Sequence, residues 1–181
     1  KERVDRIRAA IRPADRGKVL SKYQMSLSMQ GDVKRGQGIF LKNCASCHQV
    51  GEHGVNVGPD ISDSRTQKPA QYLVHILDPN RTIDANYFAY TLVRSDGRIL
   101  TGLITSEAGQ SVTLRQQDGK DTTLVRDEIA SVSTAGVSLM PVGFERTITP
   151  QQMADLITFL KEWRYVGSSL IPSTSTTKVQ P

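Results

Sequence analysis

The sequence predicts an α+β fold in which helices near both ends of the chain enclose a β-rich middle. Apolar residues recur at helical spacing before residue 80 and again after residue 150, whereas residues 87–132 alternate between apolar and polar types. β-branched residues are frequent in this middle part, and turn-forming residues interrupt it at regular intervals. The periodicity of the apolar residues therefore changes from about 3.6 residues to about 2 and back again.

The N-terminal segment is predicted to be helical. Val4, Ile7 and Ile11 have helical spacing, and Pro13 interrupts that run. A second run over residues 19–27 repeats the spacing and ends shortly before a glycine. We therefore expect two short helices before the first chemically informative motif.

A third helix is predicted over residues 33–42, where Asp32 is placed to cap its N-terminus. Gly36 within it would let a neighbouring helix approach closely. The loop at residues 51–60 is rich in Gly and Pro, so we expect neither helix nor strand there. A short helix follows between the two prolines of residues 69–79.

Five strands are predicted in the middle of the chain. Their positions are residues 87–93, 98–105, 111–116, 121–125 and 129–132. Glycines preceded by Asp or Ala supply the turns between them. Strands of this number and length form either a small antiparallel meander or a small closed barrel, and closure would remove the exposed edges.

The last helix has the strongest start signal in the sequence. Residues 149–152, Thr-Pro-Gln-Gln, combine a capping box with proline at the first helical position. Apolar residues follow at helical spacing as far as Trp163. After Tyr165 the chain is rich in Ser, Thr and Pro, which predicts a disordered tail over residues 167–181.

Charge and hydropathy exclude two classes of function. The formal net charge is +5, but residues 1–22 carry eight Lys and Arg against three Asp and Glu, and the rest of the chain carries fifteen of each. Because the excess of positive charge is confined to one end, we predict no nucleic-acid binding. No run approaches the roughly 18 apolar residues of a membrane helix, and no signal peptide opens the chain. We therefore expect a mature or excised piece that does not span a membrane.

Both cysteines lie in one motif, Cys-Ala-Ser-Cys-His at residues 44–48. Two thiols at this spacing can add to the two vinyl groups of haem while the adjacent imidazole reaches the iron, so the motif is a signal for c-type haem attachment. A redox dithiol would instead lie between a strand and a helix of a parallel sheet. A zinc site would have to recruit His53 and His75 at an unusual spacing. We favour haem, in an oxidising compartment where no thiol is left over.

The order of the motifs resembles that of class I cytochromes c. A helix leads into the Cys-x-x-Cys-His motif, Gly58-Pro59 follows, Met140-Pro141 comes late, and an amphipathic helix closes the pattern. In such cytochromes the first helix crosses the last one, here at Gly36. More narrowly, the chain is similar to haem-binding domains of Planctomycetes and Verrucomicrobia, in which a β-rich insert separates the Gly-Pro loop from the Met-Pro pair.

The resemblance implies one covalently bound haem c. Thioether bonds would join it to Cys44 and Cys47. The iron would be held by His48 on the proximal side and by Met140 on the distal side. Both axial positions would then be filled.

The resemblance adds two loop residues, Gly58 and Pro59, to the cofactor site. Pro59 corresponds to the family proline whose carbonyl accepts the ring N–H of His48, a bond that fixes the tautomer of the ligand. Two alternatives concern the ligands. Met140 could be an ordinary core methionine, and His53 in the glycine-rich loop is a rival ligand, with a solvated loop residue as its default interpretation.

The same resemblance implies a domain organisation. Residues 1–30 would be an N-terminal helical extension or linker. Residues 31–81 and 134–166 would form the cytochrome c domain, and residues 82–133 an inserted β-rich subdomain. The tail at 167–181 would follow.

Electron transfer is the predicted function. A carrier rather than an enzyme is expected, because an iron with both axial positions filled offers no site for a substrate. It would serve a redox partner protein or a fused dehydrogenase domain, in the periplasm of a bacterium or outside it. The alternatives are a haem enzyme or gas sensor in which Met140 leaves readily, and a partner- or carbohydrate-binding β module that carries a cytochrome.

Overall fold

The computed structural model describes residues 16–166, which form a helical part and a five-stranded sheet. This confirms the predicted α+β class. The helix expected near Val4 and the tail expected at 167–181 lie outside the described residues. None of the described helices has the length and apolar character needed to cross a membrane.

Within residues 16–166 the helical part contains four α-helices: α1 (Arg16–Tyr23), α2 (Val33–Asn43), α3 (Pro69–Leu77) and α4 (Pro150–Glu162). The second predicted run ends as an α-helix at Tyr23 and continues as a 3-10 helix over Gln24–Leu27. The predicted caps are confirmed. The Asp32 carboxylate accepts the Arg35 backbone N–H at 2.8 Å, and the amide oxygen of Gln152 accepts the Thr149 backbone N–H at 2.8 Å.

Helices α2 and α4 cross at Gly36, as expected. A Cβ atom on Gly36 would lie 2.0 Å from the Asp155 carbonyl oxygen, so only glycine lets the two backbones approach this closely. One turn further along, the rings of Phe40 and Phe159 pack with their centroids 5.4 Å apart. The crossing fixes the end of α2, from which the cysteine motif follows.

A two-stranded hairpin spans the start of the glycine-rich loop, where no strand was expected. Strand β1 (Gln49–Val50) pairs antiparallel with β2 (His53–Gly54). Gly51 allows the tight turn between them because it adopts a φ of +57°, a conformation that other residues rarely take. The Trp163 ring also packs against Gly51, where a Cβ would lie 2.4 Å from a ring carbon. The loop is therefore anchored to the end of the last helix.

The sheet contains five antiparallel strands: β3 (Phe88–Arg94), β4 (Ile99–Ala108), β5 (Ser111–Arg115), β6 (Asp121–Val125) and β7 (Ile129–Ser138). Their order is β6-β5-β4-β3-β7, so β3 to β6 form a meander and β7 returns to pair with β3. The closed barrel, one of the two predicted architectures, is not formed, because β6 and β7 lie at opposite edges of the strand order. The sheet is open.

Each part has its own core. Fourteen buried residues form the helical core, in which Phe40, Leu156 and Phe159 are among the least exposed. The sheet core consists of four buried residues, Leu92, Val112, Leu114 and Leu124. The Met153 side chain is fully buried in the helical core.

Candidate functional site

The cysteine motif forms a turn at the end of α2. The Cys44 backbone N–H donates to the Phe40 carbonyl at 2.8 Å, which continues the helical pattern by one residue. The N–H groups of Cys47 and His48 then both donate to the Cys44 carbonyl, at 3.0 and 2.9 Å. Both sulfurs are free thiols. The short turn therefore holds the two thiols and the imidazole on one compact segment.

The His48 ring is held by the loop that carries Gly58 and Pro59. Its Nδ1 lies 2.9 Å from the Pro59 carbonyl oxygen. Because a carbonyl only accepts hydrogen bonds, Nδ1 carries the proton and Nε2 carries the lone pair. A Cβ on Gly58 would lie 2.7 Å from Cε1 of the ring, so glycine is required beside it. The predicted pairing of Pro59 with the imidazole is thus present.

The loop is fixed to the motif by its backbone. The N–H groups of Val57 and Gly58 both donate to the Cys47 carbonyl, at 3.0 and 2.7 Å. The Val55 N–H donates to the Ala45 carbonyl at 3.1 Å. Motif and loop therefore form one unit, which orients the imidazole.

Burial determines the protonation of the site. It raises the pKa of the Cys44 thiol to about 12, and the neighbouring Cys47 thiol adds to the rise. Burial also lowers the pKa of His48, which the bond to the Pro59 carbonyl partly opposes. The imidazole is consequently neutral at neutral pH, as a metal ligand must be. A protonated Cys44 does not suit a redox dithiol, which needs a lowered thiol pKa.

Met140 lies two residues beyond the end of β7 and packs, half-buried, against the helical core. Its backbone N–H donates to the Ser138 hydroxyl at 3.1 Å. The Ser138 backbone N–H in turn donates to the Asn80 side-chain oxygen at 2.8 Å. The last strand of the sheet therefore leads directly into the predicted distal ligand.

The hairpin between β5 and β6 joins the two halves of the candidate site. The Gln117 side-chain amide donates to the Leu139 carbonyl at 3.2 Å, and the Gln117 backbone oxygen lies 3.9 Å from the Cys47 sulfur. Arg115 donates to the Asn56 carbonyl at 3.1 Å. Sequence reasoning missed both residues, because polar residues flanking a turn give no signal of long-range contacts.

The structure brings Cys47, His48, Gly58 and Pro59 into mutual contact, with Cys44 one turn away. Met140 is connected to them through the β5–β6 hairpin. The direct contacts gather five of the six predicted site residues around the motif.

The remaining histidines do not extend the site into a metal cluster. His53 is half-buried and its Nε2 lies 3.2 Å from the Gln37 amide nitrogen, so it is not the solvated loop residue expected by default. His75 is exposed on α3. Within residues 16–166, no three side chains of His, Cys, Asp or Glu converge to hold a metal ion. The geometry therefore gives no support to the zinc interpretation.

Residues 33–97 match the family model described as Cytochrome c. This part of the chain is therefore similar to cytochrome c domains. Domains of this class bind haem and transfer electrons, which agrees with the predicted chemistry of the motif. The matched region covers α2, the motif, the Gly-Pro loop and α3, and it ends in the turn after β3. Met140 and α4 lie outside it. No curated protein matches this chain.

The residues present suit the prosthetic group of a cytochrome c domain. Haem c requires two free thiols and an imidazole with an available Nε2, and the motif provides all three. The cradle that Gly58 leaves beside the imidazole is already formed. The donor set of the motif and the Gly-Pro loop therefore fits covalently bound haem.

Proposed function

We propose that this cytochrome c domain carries one haem c, attached through Cys44 and Cys47, with His48 as proximal and Met140 as distal ligand. The observation that carries the proposal is the 2.9 Å contact between His48 Nδ1 and the Pro59 carbonyl oxygen. This bond leaves Nε2 as the free donor atom of the imidazole. It resembles the bond to a carbonyl or carboxylate that orients most metal-binding histidines.

Some residues of the site would attach the haem, and others would orient its ligands. Bound haem supplies one-electron oxidation and reduction at its iron. The carbonyl of Pro59 holds the proton on Nδ1 of His48 and makes Nε2 a stronger donor. Gly58 leaves room for the ring, and the thioether of Met140 would favour the reduced state. With a ligand on each side, the domain would act as a carrier and not as an enzyme.

The finer assignment concerns the type of cytochrome and its context. We propose that residues 31–81 and 134–166 form the haem-binding unit, with residues 82–133 as an insert of the type found in Planctomycetes and Verrucomicrobia. The position of the five-stranded sheet between the Gly-Pro loop and Met140 supports this. The proposed setting is the periplasm or exterior of a bacterium, where a redox partner or fused dehydrogenase domain would exchange electrons with the haem.

Covalent attachment is tested by mass spectrometry of the intact chain and by haem staining after denaturing electrophoresis. We expect a mass increase of one haem that survives denaturation. Replacing Cys44 and Cys47 together by Ala should abolish both signals, because no other cysteine exists. Ser46→Ala changes the exposed residue between them and should retain the haem. Haem that stays attached in the double variant contradicts the proposal.

The distal ligand is tested by Met140→Ala. Haem should stay attached, while the ferric protein loses the weak long-wavelength absorption band of a methionine sulfur bound to iron, and the ferrous protein gains rapid CO binding. The matched control is Met25→Ala, because the Met25 side chain is 52% exposed and remote from the motif in sequence. A spectrum that Met140→Ala leaves unchanged rejects this ligand. A wild-type protein that already binds CO rapidly favours a haem enzyme or gas sensor instead.

A further inference from the structure

We propose that Gln117 is a positioning residue for Met140, and that the β5–β6 hairpin braces the two sides of the haem site. This inference rests on the proposed function, because it concerns how the distal ligand is held. It gives the sheet a role in the cytochrome beyond its own stability.

The peptide group that joins Leu139 to Met140 is held by two hydrogen bonds. Its carbonyl oxygen accepts the Gln117 side-chain amide at 3.2 Å, and its N–H donates to the Ser138 hydroxyl at 3.1 Å. Both polar atoms of this one peptide are therefore bonded. A peptide held at both ends cannot rotate without losing a hydrogen bond, so the direction in which the Met140 side chain leaves the backbone is fixed.

The β5–β6 hairpin also contacts the attachment motif and the Gly-Pro loop. The Gln117 backbone oxygen lies 3.9 Å from the Cys47 sulfur, so the same residue that holds the Leu139 carbonyl also lies beside the attachment motif. Arg115 donates to the Asn56 carbonyl at 3.1 Å, at the start of the segment that leads to Gly58 and Pro59. The hairpin thus contacts the segments that carry the proximal and the distal ligand.

The β5–β6 hairpin is stiffened by an ion pair and by a tight turn. The Arg115 guanidinium makes two bonds of 2.8 Å to the Asp121 carboxylate across the two strands. At the tip, the Gly119 N–H donates to the Gln116 carbonyl at 3.0 Å, and Gly119 takes a φ of +80°. Bidentate Arg–carboxylate pairs fix geometry well. A stiff hairpin can hold a ligand segment in place, whereas a loose one could not.

The experiment uses the haem-loaded protein with Gln117→Leu, which removes the amide, and Gln117→Lys, which retains a donor. Losing one hydrogen bond should raise the fraction of molecules with Met140 off the iron, and hence the CO association rate, about fivefold. The reduction potential should fall and the Met–iron absorption band should weaken. Gln117→Lys should restore all three towards wild type. Because Gln117 is exposed, these substitutions leave the sheet core unchanged.

The matched control is Gln116→Leu in the same hairpin, whose amide bonds to Thr122 within the sheet at 3.4 Å. It should leave the CO rate and potential at wild-type values. If the wild type shows the Met–iron band and Gln117→Leu behaves like Gln116→Leu, the inference is overturned while the proposed function stands. If Gln116→Leu shifts the potential as much as Gln117→Leu does, the inference is overturned as well, because general loosening of the hairpin then explains the effect. A wild type without covalent haem or without the band overturns both proposals.

Discussion

Fourteen buried residues form the core of the helical part, whereas four form that of the sheet. The helical part also contains the attachment motif and the loop that orients His48. None of the predicted haem-site residues lies in the sheet, between residues 88 and 138. It reaches the site through the β5–β6 hairpin and through the end of β7, which leads to Met140.

The two proposed ligands are therefore held by parts of the protein that differ in stability. A sheet with only four core residues is marginal by itself and depends on the helical part to which both its ends connect. His48 is held by backbone bonds to a well-packed unit, whereas Met140 is held partly by the weaker one. We therefore expect the distal side to open first when the protein is destabilised.

The most severe test of the helical part is Gly36→Leu. Its Cβ would lie 2.0 Å from the Asp155 carbonyl oxygen, so α2 and α4 must separate. We expect a loss of more than about 4 kcal/mol in the free energy of unfolding, measured by urea titration, which is the range of exceptional substitutions. Haem attachment should fail as well, since α2 positions the motif.

The matched control is Gly38→Leu in the same helix, where a Cβ would meet nothing within 4 Å. It should stabilise the protein by up to about 1 kcal/mol, because glycine is a poor helix former. Equal losses in the two variants would show that the crossing at Gly36 does not determine stability.

The sheet is tested by Leu114→Ala, which opens a cavity in a four-residue core. Leu114 is fully buried, and we expect a cost of about 3 kcal/mol. Hydrogen exchange should accelerate in β4 to β6 while α2 and α4 keep their protection. The comparison between the two parts fails if both lose protection together.

Ile99→Ala serves as the control in the sheet. It removes the same number of carbon atoms from a side chain that is 65% exposed. The expected cost is below about 1 kcal/mol, mostly from the lower strand propensity of alanine.

Among the three tests at buried sites, Asp155→Asn, at the crossing of α2 and α4, is expected to have the smallest effect. Asp155 is 2% exposed, and its carboxylate accepts bonds from the Asp32 N–H, the Arg35 guanidinium and the Gln151 amide. Burial alone would raise the pKa of Asp155, but these bonds hold it below its ordinary value. Losing the charge should cost about 1–2 kcal/mol at neutral pH.

The pH dependence of this difference has a defined sign. Because the folded pKa of Asp155 is lowered, its stabilisation is complete above the unfolded value of about 3.9 and is lost as the pH falls through the folded pKa. Unfolding titrations of wild type and Asp155→Asn should therefore converge in acid. Asp63→Asn, at a side chain that is 88% exposed, is the control and should cost little stability at neutral pH. A constant gap between wild type and Asp155→Asn would refute the assignment.

Local signals predicted much of the helical part. Asp32 and the Thr149-to-Gln152 capping box mark helix starts through bonds between neighbours in sequence, and the structure contains those bonds. The crossing at Gly36 and the pairing of His48 with Pro59 came from the resemblance to cytochromes c. Both could be transferred to this chain because its motifs follow the same order as in those cytochromes.

The sheet was harder to predict in detail. Strand β7 was expected to end at residue 132 but continues to Ser138, because residues 133–138 are mostly Ser, Thr, Ala and Gly on an exposed edge and lack apolar alternation. Whether the sheet stays open or closes into a barrel depends on which strands pair. No local sequence pattern encodes this pairing. The contact between Gln117 and Leu139 spans two turns and 22 positions, so no sequence rule could find it.

The contact between Trp163 and Gly51 provides the protein with an optical reporter. Trp163 is the only tryptophan in the chain, its indole N–H donates to the Ser62 carbonyl at 3.1 Å, and its ring covers the turn of the β1–β2 hairpin. Its fluorescence therefore comes from one known place, where the last helix meets the loop after the cysteine motif. Emission and quenching of this single indole can follow the folding and unfolding of that loop without any added label.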